Sequence, residues 1–171
     1  VGAVPAHGGA VDIPTMPVGD LGTMSVVADP GGARIGIWQP KLHKGFGILN
    51  EPGAPSWFEL HTRAYDASLA FYRDVFGWDT HVHSDTDEFR YSTLGEGEDQ
   101  LAGIMDAGAF LPAGVSSFWA VYFLTADTDK TLAQVVNLGG AVVEPAQDTP
   151  YGRLATATDS TGAQFKLMAN T

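Results

Sequence analysis

The 171-residue chain contains no cysteine. That excludes a disulfide framework and thiol chemistry, and it leaves the redox compartment open. Basic residues are scarce: 9 Lys and Arg stand against 20 Asp and Glu, for a formal net charge of −11. A chain with this balance is repelled by phosphate backbones and by anionic bilayers, so neither nucleic acid nor a membrane is an expected partner. No apolar run approaches the roughly 18 residues of a membrane-spanning helix. The first residues lack the basic flank and apolar stretch of a secretory signal. These absences lead to the expectation of a cytoplasmic globular protein. The chain starts at Val1 rather than Met, which leads to the expectation of a processed or truncated chain. The length suffices to bury about 70% of the unfolded surface, enough for a core without staples.

What charge there is clusters. Residues 1–55 carry three basic and four acidic side chains, whereas residues 56–171 carry six and sixteen. Between Asp79 and Asp106, eight acids surround the single Arg90, a pattern typical of solvated hairpin tips. An internal repeat also runs through the chain. Gly8, Gly9, Ala10, Val11 and Pro14 recur as Gly139, Gly140, Ala141, Val142 and Pro145. Gly22, Asp29, Gly32 and Ala33 recur as Gly152, Asp159, Gly162 and Ala163. The spacing changes by one residue between the two blocks, which reads as a duplication with a one-residue gap. The first copy lacks the helix and strand that precede the second. Residues 41–55, KLHKGFGILNEPGAP, carry Gly and Pro punctuation and read as a connector.

The periodicities give the elements. Residues 56–62 alternate as a strand, with Trp57, Glu59 and His61 on one face and Phe58 and Leu60 on the other. A helix opens at Asp66, carries Leu69, Tyr72, Val75 and Phe76 along one stripe, and stops at Gly77. Strands follow at 80–84, 89–94 and 101–105, separated by Asp- and Gly-rich tips. The pattern then recurs: a strand at 119–124, Asp127 as N-cap, a helix with Leu132, Val135, Val136 and Leu138, a stop at Gly139, and strands near 141–143, 154–158 and 164–168. Residues 56–171 therefore read as βαβββ twice. The expected class is α+β, with paired modules forming a curved eight-stranded sheet around a concave cleft and the helices outside.

That duplication, the run ASLAFYRDVFGW after the first strand, and the D-x-x-G turn before the last strand resemble the vicinal oxygen chelate superfamily of glyoxalases, bleomycin-resistance proteins and dioxygenases. The run WQPKLHKGFGILNEPGAPSWFEL is similar to the two-domain, glyoxalase-like "hydroxylase" or antigen proteins of actinobacteria. The resemblance implies that residues 1–40 are the back end of a first glyoxalase-like domain and 41–55 a linker. Residues 56–171 would be a complete second domain, with modules 56–112 and 113–171. One scaffold of this kind hosts many chemistries, so the resemblance implies fold more narrowly than function.

Metal-using members of the superfamily place a ligand on the first and last strand of each module. Carried over residue by residue, those positions are Trp57, Gly103, Ala120 and Lys166, with Gly36 in the front remnant. None supplies imidazole, carboxylate or thiolate, so no metal and no cofactor are expected. A rival set, His81-x-His83 followed by Asp85, Asp87 and Glu88, reads more simply as surface histidines on an edge. Strand alternation instead lines the cleft with Trp57, Glu59, His61, Ala120, Tyr122, Leu124, Gln164, Lys166 and Met168, an aromatic pocket with a few polar groups. Glu59 and Lys166 are expected to form an ion pair where the metal would have been, because buried charges need partners. Arg153 could grip a carboxylate or phosphate bidentately, and His61 could act as a base at neutral pH. Trp119 reads as core.

The expected ligand-binding set is thus Trp57, Glu59, His61, Tyr122, Arg153 and Lys166, holding an apolar or aromatic metabolite. The resemblance also implies an alternative, a glyoxalase-like lyase, isomerase or oxygenase, and an antigenic or interaction module is a third class. The front strands are expected to pair with the complete domain, with missing N-terminal modules or with a second chain in a homodimer, because open apolar edges aggregate.

Overall fold

The computed structural model describes residues 1–170. They form strands β1 (Ala10–Val18), β2 (Gly22–Ala28), β3 (Arg34–Pro40) and β4 (Pro55–Thr62), then helix α1 (Tyr65–Phe76) and strands β5 (Thr80–Asp85), β6 (Arg90–Leu94) and β7 (Ala102–Asp106). After these come β8 (Phe118–Leu124), helix α2 (Thr128–Asn137), β9 (Ala141–Thr149), β10 (Gly152–Thr158) and β11 (Gln164–Ala169). The expected α+β class and the βαβββ order hold for both modules. The chain divides into two compact units, Val1–Gly47 with Glu59–Trp119, and Ile48–Phe58 with the chain from Ala120 onward.

In the first unit β1, β2 and β3 form an antiparallel sheet of their own, and a second sheet runs β5-β6-β7-β4. β4 lies parallel to β7, with Glu59 beside Gly103 and His61 beside Met105. Helix α1 sets Tyr65, Ser68, Phe71 and Tyr72 inward at helical spacing. It ends where Gly77 takes a left-handed φ of 69° and its N–H bonds to the Arg73 carbonyl. Leu60 and Ile104 from the sheet meet Phe71 and Tyr72 in one core, which Val4, Val27 and Ala33 complete from the front segment. The front strands therefore cover α1 with their apolar face. The helix begins one residue before the expected Asp66. That carboxylate sits in the first turn and bonds Arg90 rather than capping the end.

The second unit runs β8-β11-β10-β9, again with its first and last strands parallel. Asp127 caps α2 by accepting the Lys130 N–H at 3.0 Å, as expected. Leu132 packs on Ala155, Ala157 and Leu167. β9 runs six residues beyond the expected 141–143 segment, to Thr149. Pro145 did not end it because the strand lies at the end of the order and slips register against β10, where a missing N–H breaks no ladder. The repeated D-x-x-G-A turns share their hydrogen bonds. Asp29 accepts the Ala33 N–H and Asp159 the Ala163 N–H, each at 2.9 Å.

Candidate functional site

Alternation along β4 sends Leu60 toward α1 and leaves Glu59 and His61 on the opposite face of the first unit's sheet. Both side chains are nearly buried, at 11% and 9% exposure. On the same face of β6, Tyr91 lies beside Met105 and Thr93 beside Gly103. The Tyr91 hydroxyl donates to Glu59 Oε2 at 2.8 Å. It reaches that oxygen by crossing Gly103, where an added Cβ would stand 1.8 Å from the phenol oxygen. The other carboxylate oxygen, Oε1, lies 2.9 Å from His61 Nε2. That nitrogen is buried without an aligned hydrogen bond, so the contact is a close approach outside the hydrogen-bond direction.

Aromatic rings frame these polar groups. The His61 ring stacks on Phe118, with centroids 5.0 Å apart and planes 8° from parallel. Tyr91 stacks on Phe89 at 5.5 Å and meets His83 edge-on at 6.1 Å. Phe118 is placed by the segment before it, which Arg63 clamps. Its guanidinium donates to the carbonyls of Gly108, Leu111, Pro112 and Val115 at 2.7 to 3.2 Å.

The second unit carries the equivalent row, 63 residues later in the chain. Tyr122, Lys166, Thr156 and Glu144 face one another across β8, β11, β10 and β9, where the first unit has Glu59, Gly103, Thr93 and His81. Lys166 Nζ lies 5.4 Å from the Tyr122 ring centroid and 3.8 Å from Glu144 Oε2. It donates to Thr156 Oγ1 at 3.4 Å, and Thr156 donates to Glu144. Glu59 and Lys166 each have partners inside their own unit, so neither charge depends on the expected ion pair between them.

Of the remaining sequence candidates, Trp57 is half-buried on β4. Arg153 bonds Asp129 at 2.7 and 3.0 Å and Asp148 at 2.8 Å. Arg90 bonds Asp66 and Asp85 in the same way, each residue 63 positions earlier. Both arginines tie the first turn of a helix to a hairpin, and both stay charged because the carboxylates raise their pKa values. His81 pairs with Asp79 at 2.9 Å, which raises its pKa, while His83 packs on Tyr91 across a register shift in β5. Trp119 is a core residue, as expected, and its Nε1 donates to the Tyr72 hydroxyl at 2.9 Å.

Sequence reasoning missed Tyr91, Phe118, Arg63 and Asp29. Tyr91 owes its role to the strand order β6-β7-β4, which no single strand reveals. The other three owe their roles to chain segments distant in sequence. Asp29 is buried, which pushes its carboxyl above the usual range. It accepts from Ala33 N and Ser68 Oγ, with the Tyr72 hydroxyl at 3.4 Å.

The superfamily's metal does not fit these residues. Tyr91 fills the space above Gly103, Lys166 brings a cation, and Trp57 and Ala120 offer no donor. Among the described residues no three His, Asp or Glu side chains are grouped to hold an ion. No described helix is long and apolar enough to cross a membrane.

Comparison with known proteins agrees with this architecture. Residues 55–167 match the Glyoxalase/Bleomycin resistance protein/Dioxygenase superfamily. The chain is 39% identical over 163 residues to "Putative glyoxylase CFP32" of Mycobacterium tuberculosis, an alignment covering 94% of this chain and 61% of that protein. It is 34% identical over 168 residues to the anthracycline biosynthesis protein DnrV of Streptomyces peucetius, covering 96% and 59%. The chain thus spans about three fifths of the length of these relatives. A Streptomyces coelicolor methylmalonyl-CoA epimerase in complex with 2-nitronate-propionyl-CoA superposes with a TM-score of 0.51 over 71% of this chain and 96% of its own. At 18% identity that likeness is one of fold alone.

Proposed function

The chain belongs to the Glyoxalase/Bleomycin resistance protein/Dioxygenase superfamily, and from that premise we propose that it binds a small apolar or aromatic metabolite, without a metal, on the side of β4 that carries Glu59 and His61. The observation that carries this reading is the Tyr91–Glu59–His61 cluster, a few converging polar atoms framed by Phe89 and Phe118. Rings around a small number of fixed polar groups are the usual makeup of a small-molecule site. We read the second unit by itself as a further such face, with Trp57 and Tyr122 as stacking surface and Lys166 as polar anchor. Arg153 enters the reading as a clamp, since two carboxylates compete with any ligand for its guanidinium. The relatives' names, a glyoxylase and an anthracycline biosynthesis protein, are consistent with small-molecule work. We read the matched rows of the two units as the product of a tandem duplication.

The test is native mass spectrometry and elemental analysis of one sample purified without chelator. The expected result is a co-purifying small molecule and less than stoichiometric transition metal. One transition metal per chain would overturn the metal-free reading.

The pairing of His61 with Glu59 favours a second reading, a glyoxalase-like lyase, isomerase or oxygenase. An imidazole beside a carboxylate is a common proton-accepting unit. Turnover of a co-purified ligand, abolished in His61→Gln, would select it.

A further inference from the structure

We infer that β3 and the adjoining open face of the front sheet receive a second copy of this chain, the two β3 strands running antiparallel about a two-fold axis near Gly36. The front sheet is apolar on both faces. One face, with Val27, Ile35 and Ile37, packs on the core around α1. Cross-strand pairing sets Ile13 beside Val26, Met16 beside Met24 and Met24 beside Trp38 on the other face. There Ile13 and Met16 remain 39% and 46% exposed. The face that an antiparallel sheet turns to water is ordinarily polar, and a contiguous exposed apolar face marks an interaction site.

The edge of the same sheet is open. β3 ends the order β1-β2-β3, and no further strand pairs with it among the described residues. The internal repeat matches β3 with β11, which carries β8 on its outer edge just as β7 carries β4. An edge of this kind takes up another strand through its backbone groups. Gly36, near the middle of β3, is exposed, and an added Cβ there would meet nothing within 4 Å, so a second backbone can come close. Charge selects a second copy as the occupant. Residues 1–55 hold three basic and four acidic side chains, so two such regions meet with little repulsion. Residues 56–171 hold six and sixteen and repel their own copy. At the rim of the face Arg34 already bonds Asp12 at 2.6 Å. Nothing in the face opposes an identical face, and a two-fold joins identical patches into a closed pair.

Sedimentation velocity on the 171-residue chain, from about 1 to about 100 μM, tests this, because the population of a dimer follows protomer concentration. The mass is expected to rise toward twice that of the monomer. Gly36→Lys and Gly36→Glu should each weaken the dimer at least about a hundredfold, since like charges would meet at the two-fold. Both variants should fold, because Gly36 has no left-handed φ and an added side chain has open space. Mixed in equal amounts, they should restore a mixed dimer, since a lysine then meets a glutamate. A chain that stays monomeric at the highest concentration overturns the inference. So does a dimer that survives both substitutions, or one lost in both that the mixture does not restore. Should a variant fail to fold by circular dichroism, hydrogen exchange on the wild-type chain decides. Protection of the β3 amides that rises with concentration supports the pairing, and unchanged protection there overturns it. None of these outcomes depends on a ligand, so the binding reading above stands or falls separately.

Discussion

Gly103 decides the shape of the candidate site more than any charged residue does. Its missing Cβ is the room through which the Tyr91 phenol reaches Glu59. Gly103→Ala would place a methyl within 2.4 Å of the ring carbon that bears the hydroxyl, so the ring must leave. The expected cost is about 1–3 kcal/mol in urea unfolding. The same substitution in a Tyr91→Ala background should cost much less, because the clash partner is gone. Equal costs in the two backgrounds would refute the crossing geometry. Glu59 and His61 were legible in the sequence because period-2 alternation on β4 places them on one face. Tyr91 was not, because its contact depends on which strand lies between β6 and β4, and sheet order is not written in any one strand.

Among the elements, the loops do as much positioning as the strands. Residues 107–117 carry little apolar burial, and their order comes largely from the four carbonyls gathered by Arg63. Arg63→Ala should therefore melt a few degrees earlier and be nicked faster by protease within 108–116. Arg63→Lys should rescue this only in part, since an ammonium lacks the planar fork. Unchanged nicking in Arg63→Ala would show that the loop is held by something else. The helices were legible in their places and stops, down to the Asp127 cap, but the α2 stripe only in part: Leu132 and Val135 pack on the sheet, whereas Val136 and Leu138 are exposed beyond it. The two arginine clamps were not. Arg153 as a sequence letter suits a ligand anchor, and only the fold sets Asp129 and Asp148 against it.

At the scale of the whole molecule, stability has a pH dependence that runs against the ordinary acidic trend at one residue. Asp29 ties the turn after β2 to Ser68 and Tyr72 of α1, and burial raises its carboxyl pKa. The folded chain then binds a proton at Asp29 more readily than the unfolded chain does. The stability contributed by this group is present at low pH and is lost as pH rises through the raised folded value. The isosteric Asp29→Asn carries no such proton. The unfolding free energy of the wild type relative to Asp29→Asn should therefore fall as pH rises from about 4 to 7. Urea melts across that range measure it. A flat or rising difference would show that Asp29 is not desolvated as described.

The sequence by itself determined the class of this protein. Apolar periodicity, glycine stops and the repeated D-x-x-G turn are local, so they specify βαβββ twice. The tertiary structure decided which partners each charge has. It gave Glu59 to Tyr91 and His61, Lys166 to Tyr122 and Thr156, and Arg153 to Asp129 and Asp148. It also laid the front strands over α1. Such pairings join residues tens of positions apart. Their energies depend on distance and desolvation, which a linear order of residues does not contain.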